Sequence, residues 1–145
     1  KLDFKKLHPS GSLGAQLKTV EDIMLTGNKI PFVSENVKMK KALNMLSEKK
    51  LGILIVRNKK KKTIGIITDG QIRRFNEKNI DIHLKNTNQV MTKKPISVDK
   101  DILAAKALSI MNSKKITSLC VHDKKNKNMT IGVIHVHNIL QSNIS

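Results

Sequence analysis

The sequence contains very few aromatic residues and a single cysteine. Trp and Tyr are absent, and Phe occurs three times. Because Cys120 is the only cysteine, no disulfide can form within the chain, and we expect a reducing, cytoplasmic environment. No stretch approaches the roughly 18 apolar residues of a membrane-spanning helix, and the chain does not open with the apolar segment of a signal peptide. The sequence therefore predicts no insertion into a membrane.

Acidic residues are also scarce. The chain has 25 Lys and 3 Arg against 11 acidic residues, which gives a formal charge of +17. A basic surface attracts nucleic-acid phosphates, but proteins that stack single strands use aromatic residues, and those that read base edges favour Arg. Both residue types are rare here, so nucleic-acid binding is the weakest of the hypotheses. Lysine dominance with many Asn and Ile is typical of proteins from AT-rich genomes, and residues 59–62, four consecutive lysines, are interpreted as a solvated hairpin loop.

An internal repeat organises the chain. Residues 37–56 (VKMKKALNMLSEKKLGILIV) align without a gap to residues 102–121 (ILAAKALSIMNSKKITSLCV), with seven identities in twenty positions. The match continues from TIGIITDGQI (63–72) to TIGVIHVHNI (130–139) and includes VEDIM (20–24) against TNQVM (87–91). The sequence therefore predicts two copies of a unit of about 60 residues.

The hydrophobic periodicity within each copy predicts the order βαββα. Apolar residues recur at i, i+3, i+4 and i+7, first at Met39, Ala42, Leu43 and Leu46, then at Ala104, Ala107, Leu108 and Met111. Two short β-branched runs follow each helix, and a last helix is expected near Asp69 and near Val136. One unit has too little core to fold alone. We therefore predict an α/β (α+β) fold in which two repeats pack sheet to sheet with pseudo-two-fold symmetry.

The motifs that close the two copies resemble those of CBS domains. IGIITDG (64–70) and IGVIHVH (131–137) end the two units, and the whole arrangement over residues 20–142 resembles a tandem CBS pair, or Bateman module. This resemblance implies two clefts between the copies, which hold an adenine nucleotide in many members. It also implies regulation of an enzyme or transporter in the same polypeptide.

Four separated phrases resemble one CBS-bearing family more closely, the bacterial D-arabinose-5-phosphate isomerases. They are HPSGSLG (8–14), VEDIM.TG..IP (20–31), TDGQIRR (68–74) and IGVIHVHNIL (131–140). In that family a sugar-isomerase (SIS) domain precedes the CBS pair and interconverts D-ribulose 5-phosphate and D-arabinose 5-phosphate for Kdo and lipopolysaccharide synthesis. The resemblance implies that residues 1–18 are the tail of an SIS domain and a linker, followed by CBS repeats over 19–80 and 81–145.

The only catalytic residue that the resemblance implies is His8. The junction motif of the family resembles His-Pro-Gly-Gly-x-Leu-Gly, and its histidine contributes to the isomerase site only together with the SIS domain. Alternatively, His8 and Pro9 merely open a turn. An isomerase needs a base that moves a proton between adjacent carbons and groups that hold the phosphate. We therefore expect the chain to be a piece of a longer protein and to be inactive alone.

Nucleotide-binding CBS units carry a pattern resembling Gly-h-h-Thr/Ser-x-x-Asp, whose Asp accepts from the ribose hydroxyls. In the first copy Gln71 occupies the Asp position, and in the second copy His135 replaces the hydroxyl and Asn138 the carboxylate. An uncharged amide accepts a weaker hydrogen bond, which argues against ATP or AMP. His135 and His137 lack a third residue at metal-site spacing, so no metal site is predicted.

Thr68 followed by Gln71 also has the spacing of a capping box, which would need no ligand. A helix N-terminus does, however, suit a phosphate or carboxylate, and Arg73 and Arg74 one turn later could grip such an anion. The alternative for the two arginines is simple solvation, and Cys120 is interpreted as a core residue. The predicted ligand-binding residues are Thr68, Asp69, Gln71, Arg73, Arg74, His135, His137 and Asn138.

The leading hypothesis is a regulatory CBS pair that binds a small anionic effector between its repeats. No cofactor is required; the expected effector is a nucleotide, a phosphorylated sugar or a sugar nucleotide such as CMP-Kdo. The expected partners are a second copy of the chain, forming a homodimer, and the SIS domain of the same polypeptide. The main alternative is a structural dimerisation module with vestigial clefts.

Overall fold

The structure, a computed structural model, describes residues 16–143. Its helices are α1 (Val20–Ile23), α2 (Met39–Lys49), α3 (Asp69–Glu77), α4 (Thr87–Val90), α5 (Ala104–Lys114) and α6 (Val136–Leu140), with a 3-10 turn at Gly27–Lys29. Its strands are β1 (Phe32–Ser34), β2 (Ile53–Arg57), β3 (Thr63–Thr68), β4 (Thr92–Lys93), β5 (Ser97–Asp99), β6 (Ser118–His122) and β7 (Gly132–His135). The predicted order βαββα is found in both copies, each preceded by a short helix.

The strands form two sheets of the same design. In the first, the order is β1-β2-β3-β4, with β1 parallel to β2 and the other pairs antiparallel. In the second, the order is β5-β6-β7, again with a parallel and then an antiparallel pair. A parallel pair needs a long crossover, which α2 and α5 supply. The shared connectivity confirms two copies of one unit.

The two long helices end in the same way. The residue after each helix is a lysine, Lys50 or Lys115, in the left-handed conformation with φ of 58°. Its N–H donates to a carbonyl near the end of its helix, Leu46 in one copy and Met111 in the other. A left-handed residue is the usual way to stop an α-helix, although Gly is the common choice. The repeated lysines of the sequence therefore mark equivalent helix ends.

Side-chain alternation along the central strands divides the core into layers. Leu54 and Val56 of β2 pack with α2, whereas Ile55 between them joins the layer that both sheets share. In β6, Leu119 and Val121 pack with α5, and Cys120 joins the shared layer. Successive residues of a strand point to opposite faces, so a strand covered on both sides is apolar throughout. This explains the uninterrupted apolar runs of the sequence.

The two sheets pack against each other, as predicted. Buried residues from both copies form the shared layer, namely Ile30, Ile55, Cys120 and Val133. At one end of this interface the Thr63 N–H donates to the Asn128 carbonyl at 2.7 Å, so the two hairpins are joined directly. Cys120 is 1% exposed, and burial raises the pKa of its thiol to about 12. The interpretation of Cys120 as a core residue is confirmed.

The starting segments of the two copies are exchanged. Val20 of α1 lies in the core of the second copy, and Val90 of α4 lies in the core of the first. The backbone makes matching contacts, because the Val20 N–H donates to the Ile102 carbonyl at 2.9 Å and the Thr87 N–H to the Val37 carbonyl at 2.8 Å. Each packed half is therefore built from segments of both sequence repeats, and the boundaries of the repeats at 19–80 and 81–145 stay a prediction.

The lysine run forms the loop between β2 and β3. The Asn58 N–H donates to the Lys62 carbonyl at 3.0 Å, which closes a turn around the exposed residues 59–61. This confirms the predicted hairpin loop. Within residues 16–143, no helix has the length and apolar character that crossing a membrane requires.

Candidate functional site

A cleft of about 430 Å³ lies where the end of β3 and the start of α3 face the turn between α5 and β6. Four of the predicted site residues line it, Thr68, Asp69, Arg73 and Arg74. The other lining residues are Gly52, Ile53, Ile66, Gly70, Ile96, Lys115, Ile116, Thr117 and Ser118. Both copies therefore contribute to its walls.

The start of α3 fixes the polar edge of the cleft. Thr68 is extended, with φ of −120°, and its hydroxyl accepts from the Gln71 N–H at 3.2 Å, which satisfies one free amide of the first turn. The Asp69 N–H donates to the Gly52 carbonyl at 3.1 Å. A Cβ on Gly52 would stand 3.1 Å from Asp69 Oδ2, and Gly52 has φ of 71°. Gly52 therefore holds a backbone position that most residues adopt only with strain, close beside the Asp69 carboxylate.

Arg73 and Arg74 lie over the first turn of their own helix. A Cβ built on Gly70 would meet Nη1 of Arg74 at 3.5 Å and Nη2 of Arg73 at 3.9 Å. Both side chains are exposed, and among the described residues neither forms an ion pair within 4.0 Å. Two guanidinium groups beside a helix N-terminus provide planar donors and positive potential for an anion.

Gln71 contributes in a different way from the prediction. Its side-chain Nε2 donates to the carbonyl of Val90, in the exchanged helix α4, rather than returning to the Thr68 N–H. The predicted capping box is therefore only half present: the Thr68 hydroxyl accepts its bond, but the return bond is missing. Since Gln71 is absent from the cleft lining, the position that carries a ribose-binding Asp in the family serves an internal contact here.

The sequence did not point to the opposite wall, residues 115–118. These residues connect the left-handed end of α5 to β6, and Lys115 and Thr117 are exposed. The Ser118 hydroxyl donates to the Leu51 carbonyl at 3.4 Å, across the boundary between the copies. The repeat could have revealed this wall, because Thr117 and Ser118 are the counterparts of Gly52 and Ile53 in the other copy.

The predicted residues of the second copy lie at the N-terminal cap of α6. His135 Nδ1 accepts from the His137 N–H at 3.1 Å, and Asn138 Oδ1 accepts from the His135 N–H at 2.9 Å. The second of these is the return bond of the capping box at α6. Burial, and secondarily the nearby His137, lower the pKa of His135. The side chains of His135 and Asn138 thus have local capping partners, His137 contributes its backbone N–H, and the ligand-binding role of all three residues stays a prediction.

Two other predictions concern catalysis and metal. His8 lies outside the described residues. Within residues 16–143, the His, Cys, Asp and Glu side chains do not gather in a set of three or more that could hold a metal ion. The described cleft offers arginines, a lysine, hydroxyls and one carboxylate, a set suited to binding an anion that also carries hydroxyl groups.

Comparison with family models decides the family. The model described as "CBS domain" matches twice, over residues 20–78 and 88–144. The chain belongs to the CBS-domain family. The two matches correspond to the two copies of the repeat, which makes the chain a tandem CBS pair.

Curated relatives of this CBS pair are longer proteins. The Rickettsia prowazekii protein RP505 is 39% identical over 99% of this chain. Arabinose 5-phosphate isomerase KdsD of Yersinia pestis is 37% identical over 98% of this chain, and that of Escherichia coli K12 is 36% identical over the same share. The CBS pair spans 43% of the length of each of these relatives.

Solved structures share the fold at low sequence identity. CBSX2 in complex with AMP has a TM-score of 0.75 and 20% identity, covering 87% of this chain and 96% of that one. The CBS pair of MJ0100 in complex with 5-methylthioadenosine and S-adenosyl-L-methionine has a TM-score of 0.72 and 20% identity, covering 86% and 94%. These similarities confirm the CBS-pair fold.

Proposed function

We propose that this CBS pair regulates an arabinose 5-phosphate isomerase by binding a small anionic effector in the cleft beside α3. The parent protein would interconvert D-ribulose 5-phosphate and D-arabinose 5-phosphate in the cytoplasm, through an SIS domain in the same polypeptide. The similarity to KdsD proteins over nearly the whole CBS pair supports this context. The observation that carries the effector hypothesis is the position of Arg73 and Arg74, without ion-pair partners among the described residues, on a cleft between the repeats.

The cleft favours a sugar phosphate or sugar nucleotide over a plain adenylate. Arg73 and Arg74 suit a phosphate or carboxylate, while the Asp69 carboxylate can accept hydrogen bonds from sugar hydroxyls. The residue at the usual ribose-binding position, Gln71, is committed to the Val90 carbonyl. A ligand of the CMP-Kdo type, which carries a phosphate, a carboxylate and several hydroxyls, matches this set. Two of the solved neighbours of the same fold are in complex with adenine-containing ligands, which supports ligand binding by a CBS pair of this fold.

A thermal-shift panel of AMP, ATP, CMP, CMP-Kdo and arabinose 5-phosphate tests the proposal. A ligand present at 100 times its Kd should stabilise the chain by about 2.7 kcal/mol, which corresponds to roughly 5–10 °C for this size. The double variant R73Q/R74Q should lose the shift. The matched control K59Q/K60Q removes the same charge from the exposed hairpin loop and should keep the shift. The proposal fails if none of the five compounds raises the unfolding temperature.

A second candidate function is homodimerisation, which exposed apolar side chains favour. Leu84 is 83% exposed, Leu140 50% and Leu103 42%. Large apolar side chains on a surface contribute to protein interfaces when they are contiguous. Sedimentation velocity of the chain, with and without L84A and L140A, measures this directly. If the chain sediments as a monomer at all concentrations but still responds to a ligand in the thermal-shift panel, then dimerisation is rejected and ligand-dependent regulation is retained.

A further inference from the structure

A second cavity, of about 460 Å³, lies at the other end of β3 from the effector cleft. It shares no lining residue with that cleft. Its walls come from the start of β3, the loop before β7, and the segment that joins β4 to β5. The lining residues that matter here are Thr63, Lys93, Lys94, Ser97, Lys127 and Thr130. The volume lies within the range of about 300–1,000 Å³ that is usual for small-molecule sites.

The charge around this cavity is positive and uncompensated. Lys93, Lys94 and Lys127 are exposed, and the lining contains no carboxylate. Within residues 16–143, the ion pairs are formed by Lys100 and His83, so none of these three lysines has an acidic partner within 4.0 Å. Three ammonium groups around one concavity raise the local concentration of anions.

Hydroxyl groups complete the polar wall. The Ser97 hydroxyl lies 2.6 Å from Nδ1 of His122, a buried side chain that is 9% exposed, and this bond restricts the position of Ser97. The Thr63 and Thr130 hydroxyls, one from each copy, are 2.5 Å apart. Each hydroxyl carries one proton, and the bond between Thr63 and Thr130 uses one of their two, so this pair can offer one neutral donor to a phosphate oxygen beside the three charged ones.

The lysines and the serine that line this cavity are not repeated at the equivalent positions of the first copy. At the equivalent positions of the other copy, Thr26 and Gly27 replace Lys93 and Lys94, and Phe32 replaces Ser97. The Phe32 ring carries the guanidinium of Arg57, with its carbon 3.5 Å from the ring centre. A bulky ring therefore stands where the cavity has a small hydroxyl. Since the same fold is built without these groups, the repeat architecture does not by itself require the lysines or the space between them.

We propose that this cavity binds a small polyanion that carries phosphate groups, at a site separate from the effector cleft. Lysine ammonium groups act as mobile point charges, which suits clustered phosphates better than a single planar carboxylate. The three lysines match a ligand with two or more negative charges. This inference does not depend on the function proposed for the cleft.

Isothermal titration calorimetry with inorganic pyrophosphate at about 0.15 M salt tests the inference. The wild-type chain should bind one equivalent. The variant K93Q/K94Q/K127Q should bind at least tenfold more weakly. The matched control K59Q/K60Q/K61Q removes the same charge from an exposed loop and should change the affinity less than threefold. The variant R73Q/R74Q should bind like wild type, which separates this cavity from the cleft.

Three outcomes would overturn the inference: no saturable binding, equal weakening in both triple variants, or loss of binding in R73Q/R74Q. Equal weakening would mean diffuse attraction of the kind that also draws nucleic acids to a basic protein. NMR chemical shifts of the backbone amides locate the binding site independently, since pyrophosphate should shift the signals of Ser97 and Asn128. Thermal unfolding checks that each variant is folded. If the triple variant is unstable, the single variant K127Q, in an exposed loop, replaces it, and we expect a smaller loss of pyrophosphate affinity.

Discussion

The two copies of the repeat have the same core and different surfaces. Leu54 and Leu119 occupy equivalent strand positions and are both essentially inaccessible, as are Val56 and Val121. By contrast, the helix after the third strand of each copy differs in length and chemistry. It has nine residues in α3 and five in α6. The fold thus requires the apolar positions to be kept and leaves the polar positions free to change.

The surface difference concentrates at the helix starts. Thr68 caps α3, whereas His135 caps α6. One turn further on, Arg73 and Arg74 correspond to Leu140 and Gln141 in the second copy. The basic groups of the first copy therefore have no counterpart there. The pair of arginines that lines the cleft beside α3 is therefore not repeated at the equivalent turn of the second copy.

The strongest test of the shared core is truncation of the paired leucines. L54A and L119A should each lower the free energy of unfolding by about 2–5 kcal/mol, because each change leaves a cavity in a close-packed layer. The two losses should be similar, and unfolding should remain a single transition, because the exchanged segments tie the halves together. Chemical denaturation followed by circular dichroism measures both quantities.

An exposed leucine provides the control for these truncations. Leu17 is 59% exposed, so L17A should change the free energy of unfolding by less than about 0.5 kcal/mol. Two separate transitions, with only one of them shifted by each core variant, would show that the halves unfold independently and that the exchange adds no cooperativity.

A pair of equivalent glycines tests the exchange itself. A Cβ on Gly65 would stand 2.6 Å from Met91 Sδ and 2.8 Å from the Thr92 carbonyl oxygen. A Cβ on Gly132 would press on Met24 and stand 3.0 Å from the Leu25 carbonyl oxygen. We expect G65A and G132A each to cost about 1–3 kcal/mol through overpacking, with G65A the larger because its backbone neighbour is closer.

Gly70 is the matched control for the two glycine variants. A Cβ there meets only ordinary contacts, the nearest at 3.5 Å, so G70A should be neutral or stabilise α3 by up to about 1 kcal/mol. Urea denaturation of the three variants gives the comparison. If G65A and G132A were as stable as G70A, the exchanged segments could not lie as close to β3 and β7 as the structure places them.

Much of the fold could be predicted from the sequence, because the repeat shows the hydrophobic periodicity of each long helix and central strand in two copies. The helical spacing and the β-branched runs predicted α2, α5 and the central strands. The exchange of α1 and α4 was not predicted, since VEDIM and TNQVM show only that the segments are equivalent. Whether a short amphipathic segment packs on its own copy or on the other depends on the length and direction of the connection, which periodicity does not encode.

The site was predicted in part for the same reason. Thr68, Asp69, Arg73 and Arg74 share one local motif, and a local motif places its residues together. Lys115 belongs to an ordinary polar turn whose importance arises only from tertiary packing. The orientation of the Gln71 side chain depends on its hydrogen bond to the Val90 carbonyl. That carbonyl lies beside α3 because the exchanged helix α4 packs on the first copy. Sequence reasoning therefore found the wall that is continuous in the chain and missed the wall that another element supplies.

The smallest expected effect distinguishes the two helix caps by pH. The pKa of His135 is lowered by burial and by His137, so the folded state favours its neutral form. The neutral form is also needed for capping, because Nδ1 accepts from the His137 N–H at 3.1 Å. This stabilisation is present above the unfolded-state pKa near 6.5 and is lost as the pH falls through the lowered folded-state value. The Thr68 cap of the first copy has no such dependence.

Replacing the second cap with the first should therefore remove a pH dependence. Between about pH 7 and about pH 5, the wild-type chain should lose up to about 1 kcal/mol more stability than H135T, an upper limit set by the value of a helix cap. Urea denaturation of both proteins across this range measures the difference in slope. Parallel stability curves would mean that the α6 cap keeps its hydrogen bond on acidification. In that case the two copies would differ in the chemistry of their helix caps but not in how those caps respond to pH.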